Sequence, residues 1–353
     1  MKMVDFTYDL PEELIASEPP AIRGDARLLT LDRSSGDWGD QRYGDFVNYL
    51  SAGDLVILND TKVISARLMT HKKSSGAIRE LVLLESHGQK DSWHQHRALY
   101  RGRLSQGDVL VAGDGTELVV EDIIGEGVAK ITSDRDLLDL ADKIGETPLP
   151  PYLHRAATAQ DKLRYQTLWA KIEGSVAAPT ASLNLNDQIM TALKAKKVQI
   201  GYATLHVGLG TFLPIRTDNI EDHVMHKEYF FIPARTVNAI RSTKAQGKKV
   251  VAIGTTITRT LEYSAAEILS PKTGDLQGEA DIFIYPGYEF KIIDALLTNF
   301  HAPETTVLML AAAFAGWDNL KKAYEQAVKM RYRFLSYGDS MFIYSGNNYD
   351  NDG

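Results

Sequence analysis

The sequence predicts an α/β fold, in which a barrel-like α/β domain is interrupted by a small all-β, barrel-like domain. From about residue 199 onward, short apolar runs alternate with segments of helical spacing, the pattern of an α/β domain with a largely parallel sheet. Between residues 68 and 148 short apolar runs are joined by Gly/Asp turns instead, which indicates a β domain. The proline-rich stretch 147–152 is a stiff return linker. We therefore predict a discontinuous domain of residues 1–67 and 149–353 and an inserted domain of residues 68–148.

The strands of the α/β domain are predicted from short apolar runs that are mostly bounded by Gly, Asp or Pro. These runs are 54–60, 199–208, 248–254, 281–287, 294–298 and 340–344. Its helices are predicted from apolar residues at helical spacing, with Thr255 and Thr256 as caps of the second helix. They are 187–197, 257–269, 304–316 and 319–331.

The inserted domain is predicted from three groups of short strands and one helix. The strands lie in 79–86, 109–123 and 127–132, and the Gly-Asp-Gly sequence at 113–115 is typical of a hairpin turn. The helix is expected at 136–144, because apolar residues recur there at helical spacing.

Composition limits the classes of function. The chain has 353 residues and no cysteine, which excludes disulfides, thiolate nucleophiles and cysteine metal sites. Its first ten residues lack the apolar core of a signal peptide, and its longest apolar stretch, 307–317, is too short to span a bilayer. We expect a cytoplasmic protein without a membrane partner.

Charge is unevenly distributed along the chain. The formal net charge is −7, yet residues 62–103 carry nine Lys/Arg against three Asp/Glu, and residues 104–147 carry three against eleven. The basic stretch is either a solvated surface or a patch that binds a polyanion.

Polar and glycine residues follow several predicted strands, where ligands of α/β proteins collect. His206, Gly208 and Gly210 follow one strand, and Thr255 and Thr256 lie at a helix start that favours an anion. The remaining residues of this group are Tyr285, Asn299 and His301. We expect these strand ends to form one site.

Two further groups of residues allow alternative interpretations. His223, His226 and Glu228 have the side chains of a zinc or iron site, but such histidines also serve as hydrogen-bond partners. Arg259 either pairs with Glu262 one helical turn away or binds an anionic substrate group.

The aromatic and basic segment 332–341 either stacks on nucleic-acid bases or fills the core.

Eight motifs occur in the order found in one family. They are YDLPEELIASEP, GDLVILNDTKVISARL, RYQTLWAKIEGSVAAPT, TLHVGLGTF, DHVMHKEYF, GTTITRTLE, DIFIYPGYEFKIIDALLTNFH and YRFLSYGDSM. The chain resembles the S-adenosylmethionine:tRNA ribosyltransferase-isomerases of queuosine biosynthesis from about residue 5 to 344. The resemblance implies an α/β-barrel with an inserted β-barrel.

The resemblance also implies a reaction. The family transfers the ribosyl group of S-adenosylmethionine, a co-substrate, to 7-aminomethyl-7-deazaguanine at the tRNA wobble position and isomerises it. The product is epoxyqueuosine, and adenine and methionine leave. The sulfonium acidifies the C5′ hydrogens, so a base is needed there, and adenine departure needs a proton donor. No metal and no prosthetic group is implied; the oligomeric state stays open, with a monomer favoured.

Site residues follow from the resemblance and from these chemical demands. The catalytic candidates are His206, His226, Glu228 and His301. The substrate-binding candidates are Asn184, Gly208, Gly210, Thr211, Thr255, Thr256, Arg259, Tyr285 and Asn299. The candidates for binding tRNA phosphates are Lys72, Lys73, Arg79, Arg97, Arg101 and Arg103.

One segment departs from the family pattern. After Ala-Pro-Thr-Ala the family usually continues Gly-Leu-His-Phe-Thr, whereas residues 182–186 here read Ser-Leu-Asn-Leu-Asn. Asn184 can exchange hydrogen bonds but cannot shuttle a proton at neutral pH. Asn184 motivates one alternative, a divergent paralogue that binds S-adenosylmethionine or RNA without ribosyl transfer. A second alternative, a metal-dependent hydrolase, rests on His223, His226 and Glu228. Milder departures are Lys62, Ser65, Ile257 and Thr258.

Overall fold

A computed structural model describes residues 1–88, 92–125, 127–208, 217, 219–272 and 274–346 of the chain. Its described part contains a nine-stranded mixed sheet, a closed six-stranded barrel and a two-stranded sheet. The α/β class with an inserted β-barrel is therefore confirmed. The limits predicted for the two domains stay a prediction.

The nine-stranded sheet forms the centre of the α/β part. Its strands in chain order are β1 Arg27–Asp32, β2 Trp38–Arg42, β3 Leu55–Asn59, β12 Gln199–Leu205, β13 Glu228–Ile232, β14 Val250–Ile253, β15 Leu276–Ala280, β16 Ala295–Asn299 and β17 Ser340–Tyr344. Their spatial order is β15-β13-β12-β3-β14-β16-β17-β1-β2. The central strands β3, β14 and β16 consist only of buried residues, as expected for strands covered on both faces.

The sheet is less parallel than the alternation of strands and helices predicted. Strand β12 runs parallel to β3, β3 to β14, β14 to β16, and β17 to β1. The other neighbours, β15–β13, β13–β12, β16–β17 and β1–β2, are antiparallel. Because β12, β3, β14 and β16 are mutually parallel, their carboxyl ends meet at one edge.

Helices pack on both faces of this sheet. They are α2 Ala159–Arg164, α3 Asp187–Ala195, α4 Ala234–Ala245, α5 Thr255–Tyr263, α6 Ala265–Leu269, α7 Thr306–Ala315 and α8 Trp317–Lys329. Two apolar clusters of the core result, one centred on α5, α7 and α8 and the other on α3. The predicted helices 187–197, 304–316 and 319–331 are thus confirmed as α3, α7 and α8.

The inserted part is a closed antiparallel barrel with its own core. Its strands are β5 Arg67–Lys72, β6 Ile78–Leu83, β7 Gln95–Arg101, β8 Val109–Ala112, β9 Glu117–Gly125 and β10 Val128–Thr132, followed by α1 Leu137–Ile144. They close in the order β10-β7-β6-β5-β8-β9 around a separate apolar cluster. The hairpin at 113–115 joins β8 to β9 as predicted, and the amide of Gly115 donates to Ala112 O at 2.9 Å. The small sheet of β4 Thr61–Val63 and β11 Ile172–Ser175 lies where the chain leaves and re-enters the α/β part.

Three local predictions were wrong. Residues 281–287 are not a strand. The nearest strand is β15, which ends at Ala280, and the aromatic residues that follow it, Phe283 and Tyr285, pack on each other in a segment without regular secondary structure. The predicted helix 257–269 is two helices, α5 and α6. The predicted Thr caps are also wrong, because the N-cap of α5 is Gly254, whose φ of +95° is accessible to glycine. The hydroxyl of Thr256 instead accepts a hydrogen bond from Asn59 Nδ2 at 3.5 Å.

None of the described helices is long and apolar enough to cross a membrane.

Candidate functional site

A cavity lies at the edge where the carboxyl ends of β12, β14 and β16 meet. It contains about 750 Å³ of empty space, a figure that includes solvent at its open mouth. Its lining residues include Tyr152, Ala178, Thr180, Val207, Thr255, Thr256, Thr298, Asn299, His301, Thr305, Leu335 and Ser336. The structure therefore brings together three of the strand ends that the sequence singled out.

The described wall of the cavity is mostly apolar, with several hydroxyl and amide groups and no charged side chain. Among the lining residues that the structure describes, none is Lys, Arg, Asp or Glu. The hydroxyl of Thr180 donates to Asn299 Oδ1 at 2.8 Å, so the wall is braced by its own hydrogen bonds. Such a wall suits a neutral ligand group with several hydrogen-bonding atoms, such as a nucleoside.

His301 lies in this wall as a neutral side chain. Its Nε2 is 2.8 Å from the hydroxyl of Thr298. Burial lowers the pKa of His301 to about 3. At neutral pH the imidazole is therefore uncharged, and it can donate or accept a hydrogen bond but is not an imidazolium acid.

A second group, which we call the charged cluster, consists of Glu85, Glu228 and Arg259 around Gly208. The amide of Gly208 donates to Glu228 Oε1 at 3.1 Å, and Arg259 Nη1 donates to Glu228 Oε2. Arg259 is 6% exposed, and its Nε and Nη2 have no hydrogen-bond partner among the described residues. A buried guanidinium with two unused N–H groups is a ready binding site for an anionic group.

Glu85 was not among the residues predicted from sequence. It follows β6, and a Cβ on Gly208 would lie 2.7 Å from its Oε1, so the carboxylate rests directly on that glycine. Burial, and to a smaller extent the neighbouring Glu228 carboxylate, raise the pKa of Glu85. No local pattern signals this role, because Glu85 comes from the barrel and meets the sheet only after folding.

His206 lies between the cavity and the charged cluster. Its Nδ1 is 2.8 Å from the hydroxyl of Thr61, and its Nε2 faces Gly174, where a Cβ would approach to 2.8 Å. The next residue, Val207, lines the cavity, and Gly208 belongs to the charged cluster. The two groups are therefore adjacent parts of one site.

Arg259 and Glu262 do not pair with each other. Glu262 Oε1 instead accepts hydrogen bonds from the amides of Ile292 and Ile293, each at 3.0 Å. Arg259 therefore pairs with Glu228. The pairing of Arg259 with Glu262, one of the two alternatives that their spacing allowed, does not occur.

His223, His226 and Glu228, the residues considered as metal ligands, do not converge on one point. Glu228 is committed to Arg259 and Gly208, whereas His226 is exposed beside His223. In the described ranges, no group of three His, Cys, Asp or Glu side chains is arranged to hold a metal ion.

Several other predicted site residues lie apart from the cavity. Asn184 is 4% exposed and its amide is 3.5 Å from Gly338 O, so it faces the protein interior rather than the cavity. Tyr285 packs on Phe283. Gly210 and Thr211 lie outside the described residues.

The segment 332–341 is a core element. Tyr332 and Phe334 are fully buried, so this segment fills the core instead of offering its rings to bases.

The residues predicted to bind tRNA phosphates all lie on the barrel, and three of them are ion-paired. Lys72 contacts Asp108 at 2.6 Å, Lys73 contacts Glu117 at 2.5 Å, and Arg101 is 3.8 Å from Glu80. Arg79 is held by backbone carbonyls, one of them Arg103 O at 3.1 Å. Arg97 and Arg103 are exposed.

Fold and site together define an α/β protein with an inserted β-barrel, whose site has a neutral part and a charged part side by side. A family model described as queuosine biosynthesis protein matches residues 3–343. The chain belongs to this family.

Similar proteins cover the chain almost completely. A protein of Pelodictyon phaeoclathratiforme is 54% identical over 97% of this chain and 100% of its own length. One of Halothermothrix orenii is 46% identical, also over 97% of this chain and 100% of its own length. Both are named S-adenosylmethionine:tRNA ribosyltransferase-isomerase.

A solved structure is similar as well. The crystal structure of S-adenosylmethionine tRNA ribosyltransferase from Thermotoga maritima is 33% identical in sequence, with a TM-score of 0.55. The match covers 96% of this chain and 99% of that one. The resemblance read from the motifs is thus confirmed.

Proposed function

We propose that this chain is an S-adenosylmethionine:tRNA ribosyltransferase-isomerase. It transfers and isomerises the ribosyl group of S-adenosylmethionine onto 7-aminomethyl-7-deazaguanine at the tRNA wobble position, giving epoxyqueuosine and releasing adenine and methionine. The observation that carries the proposal is the 54% identity, over 97% of this chain and the full length of the relative, to a protein that bears this name.

The two parts of the site match the two parts of S-adenosylmethionine. The uncharged cavity takes the adenosine, with Thr255, Thr256 and Asn299 as hydrogen-bond partners. The charged cluster takes the methionine end. The unused N–H groups of Arg259 bind the carboxylate, and Glu85 lies where it can attract the ammonium or the sulfonium.

The proton transfers are assigned by burial and contacts. His206 is assigned as the base that removes the C5′ proton, because the next two residues along the chain, Val207 and Gly208, belong to the cavity and to the charged cluster. Glu228 is a positioning residue, since its two oxygens already hold Gly208 and Arg259. His301 is neutral and serves as a hydrogen-bond partner of adenine.

The tRNA contacts on the barrel are assigned to its less engaged cations. Arg97, Arg101 and Arg103 are exposed, and their guanidinium groups can reach phosphates. Lys72 and Lys73 contribute less, because each lies within 2.6 Å of a carboxylate, closer than the 3.8 Å between Arg101 and Glu80.

The test is an incubation of the purified protein with S-adenosylmethionine and tRNA that carries wobble 7-aminomethyl-7-deazaguanine, followed by measurement of adenine release. We expect release that depends on the modified base, with the same tRNA carrying guanine as the control. Tight binding of S-adenosylmethionine without adenine release would contradict the proposal and favour the divergent paralogue. In that case Asn184→His, which restores the usual family residue, becomes the informative variant.

A further inference from the structure

The segment of residues 17–24, just before β1, is held in place by arginine side chains. Arg155 Nε donates to one of its carbonyls at 3.0 Å, and Arg164 Nη2 to another at 2.7 Å. Arg333 Nη2 donates to a third. The accepting carbonyls, in that order, are those of Ser17, Pro20 and Glu18.

Arg23, within this segment, adds a further guanidinium. Its Nη1 donates to Leu183 O at 2.9 Å and to Gln166 O at 3.0 Å. Burial, and then the nearby positive charge of Arg164, lower the pKa of Arg23. Two guanidinium groups are therefore held close to each other in spite of their like charge.

In the part of the chain that the structure describes, three of these arginines form no side-chain ion pair, although the charge of Arg333 acts on the nearby Asp339 carboxylate. Arg155 pairs with Asp161 at 2.7 Å, but Arg23, Arg164 and Arg333 form no ion pair within the described ranges. Their acceptors are neutral carbonyls, so each keeps its full charge and has N–H groups left over. We call Arg23, Arg164 and Arg333 the arginine strip.

The arginine strip is connected to two segments that line the cavity. Arg333 is two residues before Leu335, which lines the cavity. Arg23 holds Leu183, in the same loop as the lining residues 178–181. Next to Arg23 and Arg164 in the sequence, Ile22 and Leu163 are 69% and 74% exposed.

We propose that the arginine strip binds phosphodiester groups of the RNA substrate, next to the nucleotide whose base approaches the S-adenosylmethionine held in the cavity. The inference rests on the proposed function and adds a second contact surface to the barrel. Charge complementarity carries it, because guanidinium groups fixed by neutral acceptors match phosphate oxygens in charge and geometry.

The experiment measures the affinity of the full-length protein for the modified tRNA as a function of salt concentration. The test variant carries both Arg164→Gln and Arg333→Gln, because glutamine can still donate hydrogen bonds to the carbonyls but carries no charge. The slope of log affinity against log salt concentration is negative, and we expect its magnitude to decrease by about 1.4 in this variant. This is about 0.7 for each lost contact with a phosphate of single-stranded RNA. Arg164→Lys with Arg333→Lys keeps the charges and should keep the slope.

A matched control removes two cations at the opposite edge of the sheet. The control variant carries Lys197→Gln and Lys248→Gln. These residues precede β12 and β14, far from the carboxyl ends of both strands, and their replacement should leave the slope unchanged. Melting temperatures establish that each variant is folded, and Arg164→Gln alone, with an expected fall of about 0.7, replaces the double variant if that one is unstable.

The inference is overturned if the folded glutamine variant keeps the wild-type slope, or if the control loses as much. Adenine release by the wild type at saturating tRNA is measured in the same series. Release together with an unchanged slope would reject the arginine strip and leave the proposed function standing, whereas no release would reject the function itself.

Discussion

At the scale of single residues, the buried Arg259 is the most telling feature of the site. Its Nη1 is used by Glu228, while Nε and Nη2 find no partner among the described residues. Leaving such N–H groups unpaired in the interior is costly, which favours a bound anion as their partner.

Replacement of this arginine by lysine tests its role in binding S-adenosylmethionine. Lysine keeps the charge opposite Glu228 but cannot supply the planar pair of N–H groups. A charge-assisted hydrogen bond contributes about 1.5–3 kcal/mol, so we expect Arg259→Lys to raise KM for S-adenosylmethionine by about ten- to a hundredfold. Arg241→Lys on α4, where Arg241 bonds a backbone carbonyl, is the matched control. An unchanged KM in a folded Arg259→Lys variant would remove Arg259 from the binding site.

Glu85 makes the stability of the protein depend on pH. Burial raises its pKa in the folded state, so folding favours the protonated carboxyl. That contribution is present below the unfolded pKa and is lost as pH rises through the folded pKa. Glu85→Gln cannot ionise, and its gain in Tm over wild type should be larger at about pH 8 than at about pH 5. The exposed Glu267→Gln is the control, and equal Tm differences at both pH values would refute the prediction.

At the scale of elements, helix α2 is joined to the loop before β17 by Asp161. Its carboxylate accepts two hydrogen bonds from Arg155, at 2.7 and 2.8 Å, and one from the hydroxyl of Tyr337 at 2.7 Å. Burial by itself would raise the pKa of Asp161, but these hydrogen bonds and those from Thr158 outweigh it and hold the pKa well below its usual value. This network fixes the return segment beside the cavity.

We expect Asp161→Asn to lower the free energy of unfolding by about 3 kcal/mol, because it leaves Arg155 without its counter-charge. Since the folded pKa is depressed, the stabilisation is present above the unfolded pKa and is lost as pH falls through the folded pKa. The difference from wild type in urea unfolding should therefore shrink in acid. Asp187→Asn, an exposed change at the start of α3, should cost much less; equal costs would speak against the network.

At the scale of the whole molecule, the barrel and the sheet meet at Gly174. The amide of Ser86, just after β6, donates to Gly174 O at 2.8 Å. The φ of Gly174 is +138°, and a Cβ there would lie 2.7 Å from the Cβ of Ser86 and 2.8 Å from His206 Nε2. Barrel, sheet and candidate base are thus packed against one glycine.

Gly174→Ala should disturb both the junction and the site. We expect a loss of about 2 kcal/mol or more of stability from overpacking and backbone strain, together with a lower kcat because His206 is displaced. Gly287→Ala is a suitable control: its φ is +101°, but a Cβ there meets no atom within 4 Å, so only the strain remains. If both variants unfold at the same temperature and retain equal kcat, the contact with His206 has no role.

Much of this fold was predictable because its signals are local. The buried strand β3, the hairpin between β8 and β9 and the helices α3, α7 and α8 follow from spacing and turn residues alone. Strand β13 and helix α4 were missed, since β13 lies in a segment interpreted as a loop and α4 has few apolar residues at helical spacing. The aromatic run at 281–287 has the composition of a strand. The strand that pairs with β13 is however β15, which precedes this run in the chain.

The α/β class, the inserted barrel and the family follow from the sequence, because periodicity, turn residues and motif order are properties of the linear chain. Which side chains meet depends on the tertiary structure. Spacing placed Glu262 beside Arg259, yet Glu262 caps backbone amides and Arg259 binds Glu228 from another strand. Glu85 reaches the site from the barrel. A buried charged side chain must pair with a group that the packed structure places next to it, and packing depends on contacts between residues far apart in the sequence.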